Sequence, residues 1–272
     1  MKKARKSPDE LATDRENFEQ ADPPSDAEQA RHGDSSQVLL NCLLRDPAFL
    51  REALSENKMA ERLGLKLSTL REVVIAFVSS DWLIRTHRGV SRLNLKAWDL
   101  VQLFGTRLAI ERCAIQKAVK DDDEVRIRVD GSLLPIVNRQ REICSSEIAD
   151  DHVEWFSQSV DFHVTLVKAV GFAHLARTLE RIFWQIRIGA GFALEDNITR
   201  AKATELHGQL VRGIQGLETL DEDFYIIDHI KRPLKSAMAQ IGAPTDDRSI
   251  ERYWNSVEQI AAGVYGKQKP QS

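Results

Sequence analysis

Nothing in the chain approaches the roughly 18 to 20 consecutive apolar residues needed to cross a bilayer. Its basic start (Lys2, Lys3, Arg5, Lys6) has no apolar stretch behind it, so no secretory signal is expected. Cysteine is scarce. Cys42, Cys113 and Cys144 are odd in number, far apart and each set in an apolar helical pattern. That excludes a disulfide framework or zinc knuckle and predicts buried, reduced thiols in a cytoplasmic protein. The phosphate-loop, dinucleotide, nucleophile-elbow and HExxH zinc signatures are missing, and with them the commonest routes to an enzyme. Strand patterning is missing from Asp99 onward. A dominant charge is missing too, the formal net charge being −3.

That near-neutral balance conceals a division. Residues 1–35 carry 6 basic and 9 acidic side chains, residues 36–96 carry 10 and 6, and the remainder carry 22 and 26. Only the middle segment is positive, and a phosphate backbone responds to a local patch rather than to the total. Residues 1–35 are rich in Asp, Glu, Pro, Ser and Gln with few large apolar groups, which predicts a disordered tail. A chain of 272 residues suits two further domains.

The positive segment has the clearest local organisation. Met59 and Leu63 lie four apart on one helix face, and Gly64 supplies the backbone freedom a helix end requires. A second helix is expected from Ser68 as N-cap, with Leu70, Val73, Val74 and Phe77 as its buried face. Ser68, Thr69 and Arg71 then point outward at its N-terminal end, with Lys66 just before them, the part a helix-turn-helix offers to a major groove. Trp82 to Thr86 alternates, Gly89 allows a sharp turn and Val90 to Leu93 returns. The result is a wing whose basic residues are His87, Arg88 and Arg92. Gln37 to Arg45 reads as a helix packing Val38, Leu39 and Leu43 beneath this head, ended by Asp46-Pro47.

The run STLREVVIAFVSSDWLIRTH, through its TLREV core and the WL-x-x-x-H lead into the wing, resembles the DNA-binding domain of the GntR family of bacterial transcription regulators, most nearly its FadR-type branch. The resemblance implies a phosphate or guanine contact for Arg71, a phosphate contact for Thr69 and a minor-groove or backbone contact for His87. Leu67 and Asn57 stand where that family usually has arginine, so the resemblance also implies an operator different from the usual one.

Beyond Asp99 the chain reads as successive amphipathic helices over about 99–119, 122–146, 148–170, 173–192, 197–217, 221–241 and 247–264, an all-α bundle of about six or seven helices. Pro135 should kink or divide the second of them, and Pro233 is better tolerated near the start of the sixth. The opening LVQLFGTRLAIERCAIQKAV, with Arg107 and Glu111 four apart, and the run SVDFHVTLVKAVGFAHL resemble the FCD effector-binding domain. The fold expected is therefore mainly α. Residues 1–35 form a tail, 36–96 a winged helix-turn-helix, 97–241 an FCD-like bundle and 242–272 a C-terminal helix and tail.

The FCD resemblance places His163, His207 and His229 as metal ligands, with Ser159 where the family has a fourth, an aspartate. Three imidazoles suit zinc or nickel and leave one position open to water or an effector carboxylate. Arg107, by family position, and Arg187, by helix register, are anion anchors. The effector site expected is thus Arg107, Ser159, His163, His207 and His229. Without metal, the same rings would be hydrogen-bonded core histidines. His152 and His174 are expected at the surface or a hinge, and Trp155, Phe156, Phe162 and Trp184 in the core. The resemblances imply a dimeric, cytoplasmic repressor of a catabolic operon. It would hold a palindromic double-stranded operator and release it when a small organic acid enters the bundle. The alternatives are a metal-dependent enzyme built on the three histidines and an effector-independent architectural DNA binder.

Overall fold

The computed structural model describes residues 26–46, 48–120, 123–145, 152–190, 197–219, 225 and 227–263. The first helix, α1, spans Asp26–Arg45 rather than starting at Gln37. Ala27, Glu28, Gln29 and Ala30 are strong helix formers, so the segment is helical although it carries few core-building groups. Residues 1–25, the bulk of the expected tail, lie outside the described residues.

α2 covers Glu56–Leu63. The Ser55 hydroxyl caps it by accepting from the Lys58 N–H, and Gly64 ends it at φ 66°. α3 covers Leu67–Ser79 and begins one residue before Ser68. Lys66 is the capping residue and offers no side-chain acceptor, so the expected Ser68 cap is replaced by a first turn that includes Ser68. Leu39, Leu43, Met59, Leu70, Val74 and Leu83 form the core between these helices, while Val38 faces outward.

Strands β1 (Leu83–Thr86) and β2 (Gly89–Arg92) pair antiparallel, Leu83 opposite Arg92 and Thr86 opposite Gly89. Leu54 exchanges two backbone hydrogen bonds with Val90, both 2.9 Å, and adds a third rung to the wing. Gly89 sits at φ +124°, and a Cβ there would lie 2.3 Å from the Leu54 carbonyl oxygen. Gly89→Ala should therefore combine backbone strain with loss of that rung, lowering stability in urea unfolding by about 2 kcal/mol or more. A change under about 0.5 kcal/mol would show that the wing does not need this close approach.

The bundle consists of α4 (Ala97–Lys120), α5 (Asp123–Ser145), α6 (His152–Ala169), α7 (Ala173–Ala190), α8 (Asn197–Ile214), a π-helical turn (Ile227–Lys231) leading into α9 (Arg232–Gln240), and α10 (Asp247–Ala261). Phe104, Leu133, Phe162, Leu166, Leu179 and Trp254 share one core, so α10 belongs to the body of the bundle. Pro135 does not divide α5, which continues through it. Pro233 lies in the first turn of α9, where its missing N–H costs nothing. Cys42 and Cys144 are half-buried and Cys113 is exposed, so the expected burial of the thiols fails. No described helix is long and apolar enough to cross a membrane.

Candidate nucleic-acid interface and effector site

The outer side of α3 presents Ser68, Arg71, Glu72 and Ile75 to solvent, with Lys66 exposed just before it and Thr69 half-buried. At the wing tip His87 and Arg88 are exposed as well. Between helix and wing lies a notch bounded by Arg71, Arg85, His87 and Arg88. Glu56 sits at its floor, its carboxylate 3.1 Å from Arg71 Nε and 2.9 Å from Arg85 Nη2. Both guanidiniums stay about half exposed, so these pairs add little stability; they hold two cations side by side. Sequence reasoning missed Arg85, although Arg85, His87 and Arg88 can be read together as one basic run into the tip.

The expectation that Arg92 touches DNA fails. Arg92 is 7% exposed, and its guanidinium turns inward. Nε donates to the Phe49 carbonyl (2.5 Å), Nη1 to Ile188 O (3.0 Å), and Nη2 to Asp46 O (2.7 Å) and Leu43 O. Leu43 and Ile188 lie in the last turns of α1 and α7, whose carbonyls have no partner within their helices. One cation thus caps the negative ends of two helices. Burial brings its pKa down to about 10, which leaves it charged at neutral pH.

Helix α7 is where head and bundle meet. Arg181 donates to the Ser80 carbonyl (3.0 Å) and pairs with Asp81, just beyond the end of α3. Trp184 packs 5.5 Å from Trp82, and Ile188 accepts from Arg92. Arg181, Trp184 and Ile188 fall on one helix face by spacing. Phe183, Ile186 and Arg187 from the same helix line a cavity of about 330 Å³ in the bundle. One helix therefore carries the floor of the winged head and a wall of the cavity.

The cavity reaches His229, which forms a buried cluster with His163 and His207. His229 Nε2 lies 2.8 Å from His163 Nε2 and 3.2 Å from His207 Nε2, and all three rings are buried. His207 Nδ1 donates to Gln140 Oε1 at 2.7 Å, and His163 Nδ1 lies 3.0 Å from Glu111 Oε2. These partners place the protons on Nδ1 and turn the Nε2 lone pairs toward one another. Phe162 stacks on His207 at 4.0 Å and Tyr225 on His229 at 4.9 Å, which fixes the ring planes. Tetrahedral zinc bound at about 2.0–2.1 Å separates its nitrogen ligands by roughly 3.3 Å, close to the two spacings from His229, and all three ligand atoms lie within 4.8 Å of one another. The three rings are compatible with a divalent cation. Burial pushes all three imidazoles below their ordinary range, and their mutual proximity and Arg107 push His207 and His229 further down. Burial opposes the charge of Glu111, but Arg107 and His163 outweigh it and hold the carboxyl well below the usual range.

Arg107, Ser159 and Arg187 all line the cavity, and Arg107 Nε donates to Glu111 Oε1 at 2.5 Å. His152 does not behave as a surface residue: it is buried in the cavity wall. Its place in the first turn of α6 concealed this, because a helix start usually faces solvent. His174 is exposed beside Arg177. Trp155 and Phe156 line the cavity rather than lying wholly in the core. Arg200 and Lys202 were missed; Arg200 sits seven residues before His207 on α8, a spacing that puts both on one face.

No family model and no curated protein matches the chain. Among solved structures, the chain is similar to E. coli McbR/YncC, at 13% identity and a TM-score of 0.51, over 78% of this chain and 96% of that one. Looser likenesses, which carry no weight, are to the Listeria monocytogenes regulator described in "Lar controls the expression of the Listeria monocytogenes agr system and mediates virulence" and to a GntR regulator from Rhodococcus sp. RHA1. The first has 16% identity and TM-score 0.42, covering 87% of this chain and 97% of that; the second has 14% and 0.41, covering 88% and 100%. At such identities the likeness speaks to fold. The chain shares the fold of E. coli McbR/YncC.

Proposed function

We propose that this protein is a ligand-responsive DNA-binding transcription regulator, a repressor that works as a dimer on a palindromic operator. The observation that carries the reading is the double duty of α7, which docks the reading head on one face and lines the cavity with the other. A ligand that moves α7 thereby changes how the head is held. It releases DNA only by binding the non-DNA arrangement more tightly, with a coupling of about 1–3 kcal/mol.

On the DNA side, Lys66, Ser68, Thr69 and Arg71 address the major groove. Arg85, His87 and Arg88 take the adjacent backbone. Glu56 keeps Arg71 and Arg85 together without burying either. Arg71→Ala should weaken binding of a selected operator duplex by about tenfold or more and lower the salt slope by about one unit, read by fluorescence anisotropy. Unchanged affinity would mean that α3 is not the reader.

On the ligand side, His163, His207 and His229 would hold a divalent cation, zinc or nickel, which supplies a Lewis-acidic anchor for an effector carboxylate. Arg107 and Arg187 add positive charge to the cavity, and Ser159 leaves the fourth metal position to water or effector. His207→Ala should remove bound metal, measured by mass spectrometry, while leaving operator affinity within about twofold. Equal loss of both would assign His207 a folding role instead.

A further inference from the structure

We propose that the effector is a small dianion whose second negative group is held by Arg200, apart from the histidine cluster. This rests on the effector-binding reading above and names its ligand class. Arg200 is 9% exposed and lines the cavity, yet its Nε and Nη1 are buried with no hydrogen-bond partner among the described residues. An ordinary structural arginine does not look like this. Arg107 is answered by Glu111, and Arg92 by carbonyls on all sides. A buried guanidinium lacking such partners is destabilising unless something else supplies the anion.

The surroundings give the same sign. Arg107, Arg187, Lys202 and Arg232 also line the cavity, and no Asp or Glu does so among the described residues. Lys202 and Arg232 are exposed, while Arg107 and Arg200 are buried. Arg200 and His207 are seven residues apart on α8, about 10 Å along the helix axis. Thr204 lies between them, and its hydroxyl is engaged by Trp155 Nε1 at 2.9 Å. A single carboxylate seated at the histidines would leave Arg200 unanswered, whereas a ligand with an anionic group at each end answers both. A short dicarboxylate and a phosphorylated small acid share this chemistry.

The test uses the full chain as purified, titrated calorimetrically with pentanoate, glutarate and 3-phosphoglycerate, alongside Arg200→Met. In the parent protein at least one dianion should bind about tenfold or more tighter than pentanoate. In R200M that advantage should fall to within about twofold, with pentanoate affinity kept. Which dianion leads identifies the carboxylate or phosphate source. Ligand-free R200M should also melt higher than the parent by about 2 °C or more, because a buried guanidinium with two unpartnered nitrogens among the described residues has been removed. A lower melting point would make Arg200 a structural residue and overturn the proposal, as would an equal preference for dianions in R200M. If none of the three probes binds, the melting comparison alone decides. Operator binding by the parent protein is the separate control: its absence overturns the regulator reading, and its presence confines a failure to the Arg200 subsite.

Discussion

Arg92→Met is expected to lower unfolding stability by about 3 kcal/mol or more and to loosen the head from the bundle. The substitution keeps most of the aliphatic volume but removes donors to the carbonyls of Leu43, Asp46, Phe49 and Ile188. Each carbonyl left buried without a donor costs about 1–3 kcal/mol, reduced wherever water can enter. Three of the four belong to the head and one to α7, so the loss should divide unequally. Part weakens the head, and part frees the junction. Trp82 and Trp184 pack against each other at that junction and give a local fluorescence signal. In urea the parent protein should unfold with coincident fluorescence and far-ultraviolet circular dichroism transitions. In R92M the fluorescence transition should come first. Arg88→Ala, on the exposed wing tip, should stay within about 0.5 kcal/mol. A loss in R92M under about 1 kcal/mol, with coincident transitions, would remove Arg92 from the junction.

Arg92 also marks the limit of what the sequence could convey. Helix spacing, Gly64 and the alternation from Leu83 are local signals, and they locate α2, α3 and the wing to within a residue or two. Whether the arginine at the end of β2 faces phosphate or carbonyl oxygen depends on what packs behind the strand. Here that is α1 and α7, the latter nearly a hundred positions later in the chain. No local pattern encodes that contact. His152 shows the same limit in reverse: its place in the first turn of α6 suggests solvent, but the fold closes a cavity over it. The helical start at Asp26 was missed for another reason, because scarcity of apolar groups argues against a core, not against helix formation. The three histidines were legible only through family resemblance. Their Nδ1 partners, Glu111 and Gln140, come from α4 and α5 and follow from the fold.

Those partners connect the two halves of the cavity. Glu111 accepts from Arg107 through one carboxylate oxygen and faces His163 through the other. Arg107 and the histidine cluster are thus tied through one buried acid. A change in charge at either end is felt at the other, over a path of two contacts.

Glu111→Ala should accordingly be among the most damaging substitutions in the bundle, costing about 3–5 kcal/mol, because it leaves the Arg107 guanidinium buried without its counter-charge. Replacing both partners, as Arg107→Met with Glu111→Leu, removes the charges together and should recover most of that loss, though the cavity then lacks one of its deep cations. The single and double variants can be compared by urea unfolding at matched pH. Glu111→Gln keeps the volume but not the counter-charge, so it shares part of that loss of stability and is compared where urea unfolding shows it folded. With no charge opposite Nδ1, the His163 imidazole would be a poorer donor to a metal held at Nε2. Zinc affinity, measured on the folded variant by competition with a chromophoric chelator, should fall by about 10–100-fold. If the double variant is as unstable as Glu111→Ala, the carboxylate is filling space rather than answering a charge. If zinc affinity is unmoved in the glutamine variant, the contact between Glu111 and His163 has no part in shaping the site.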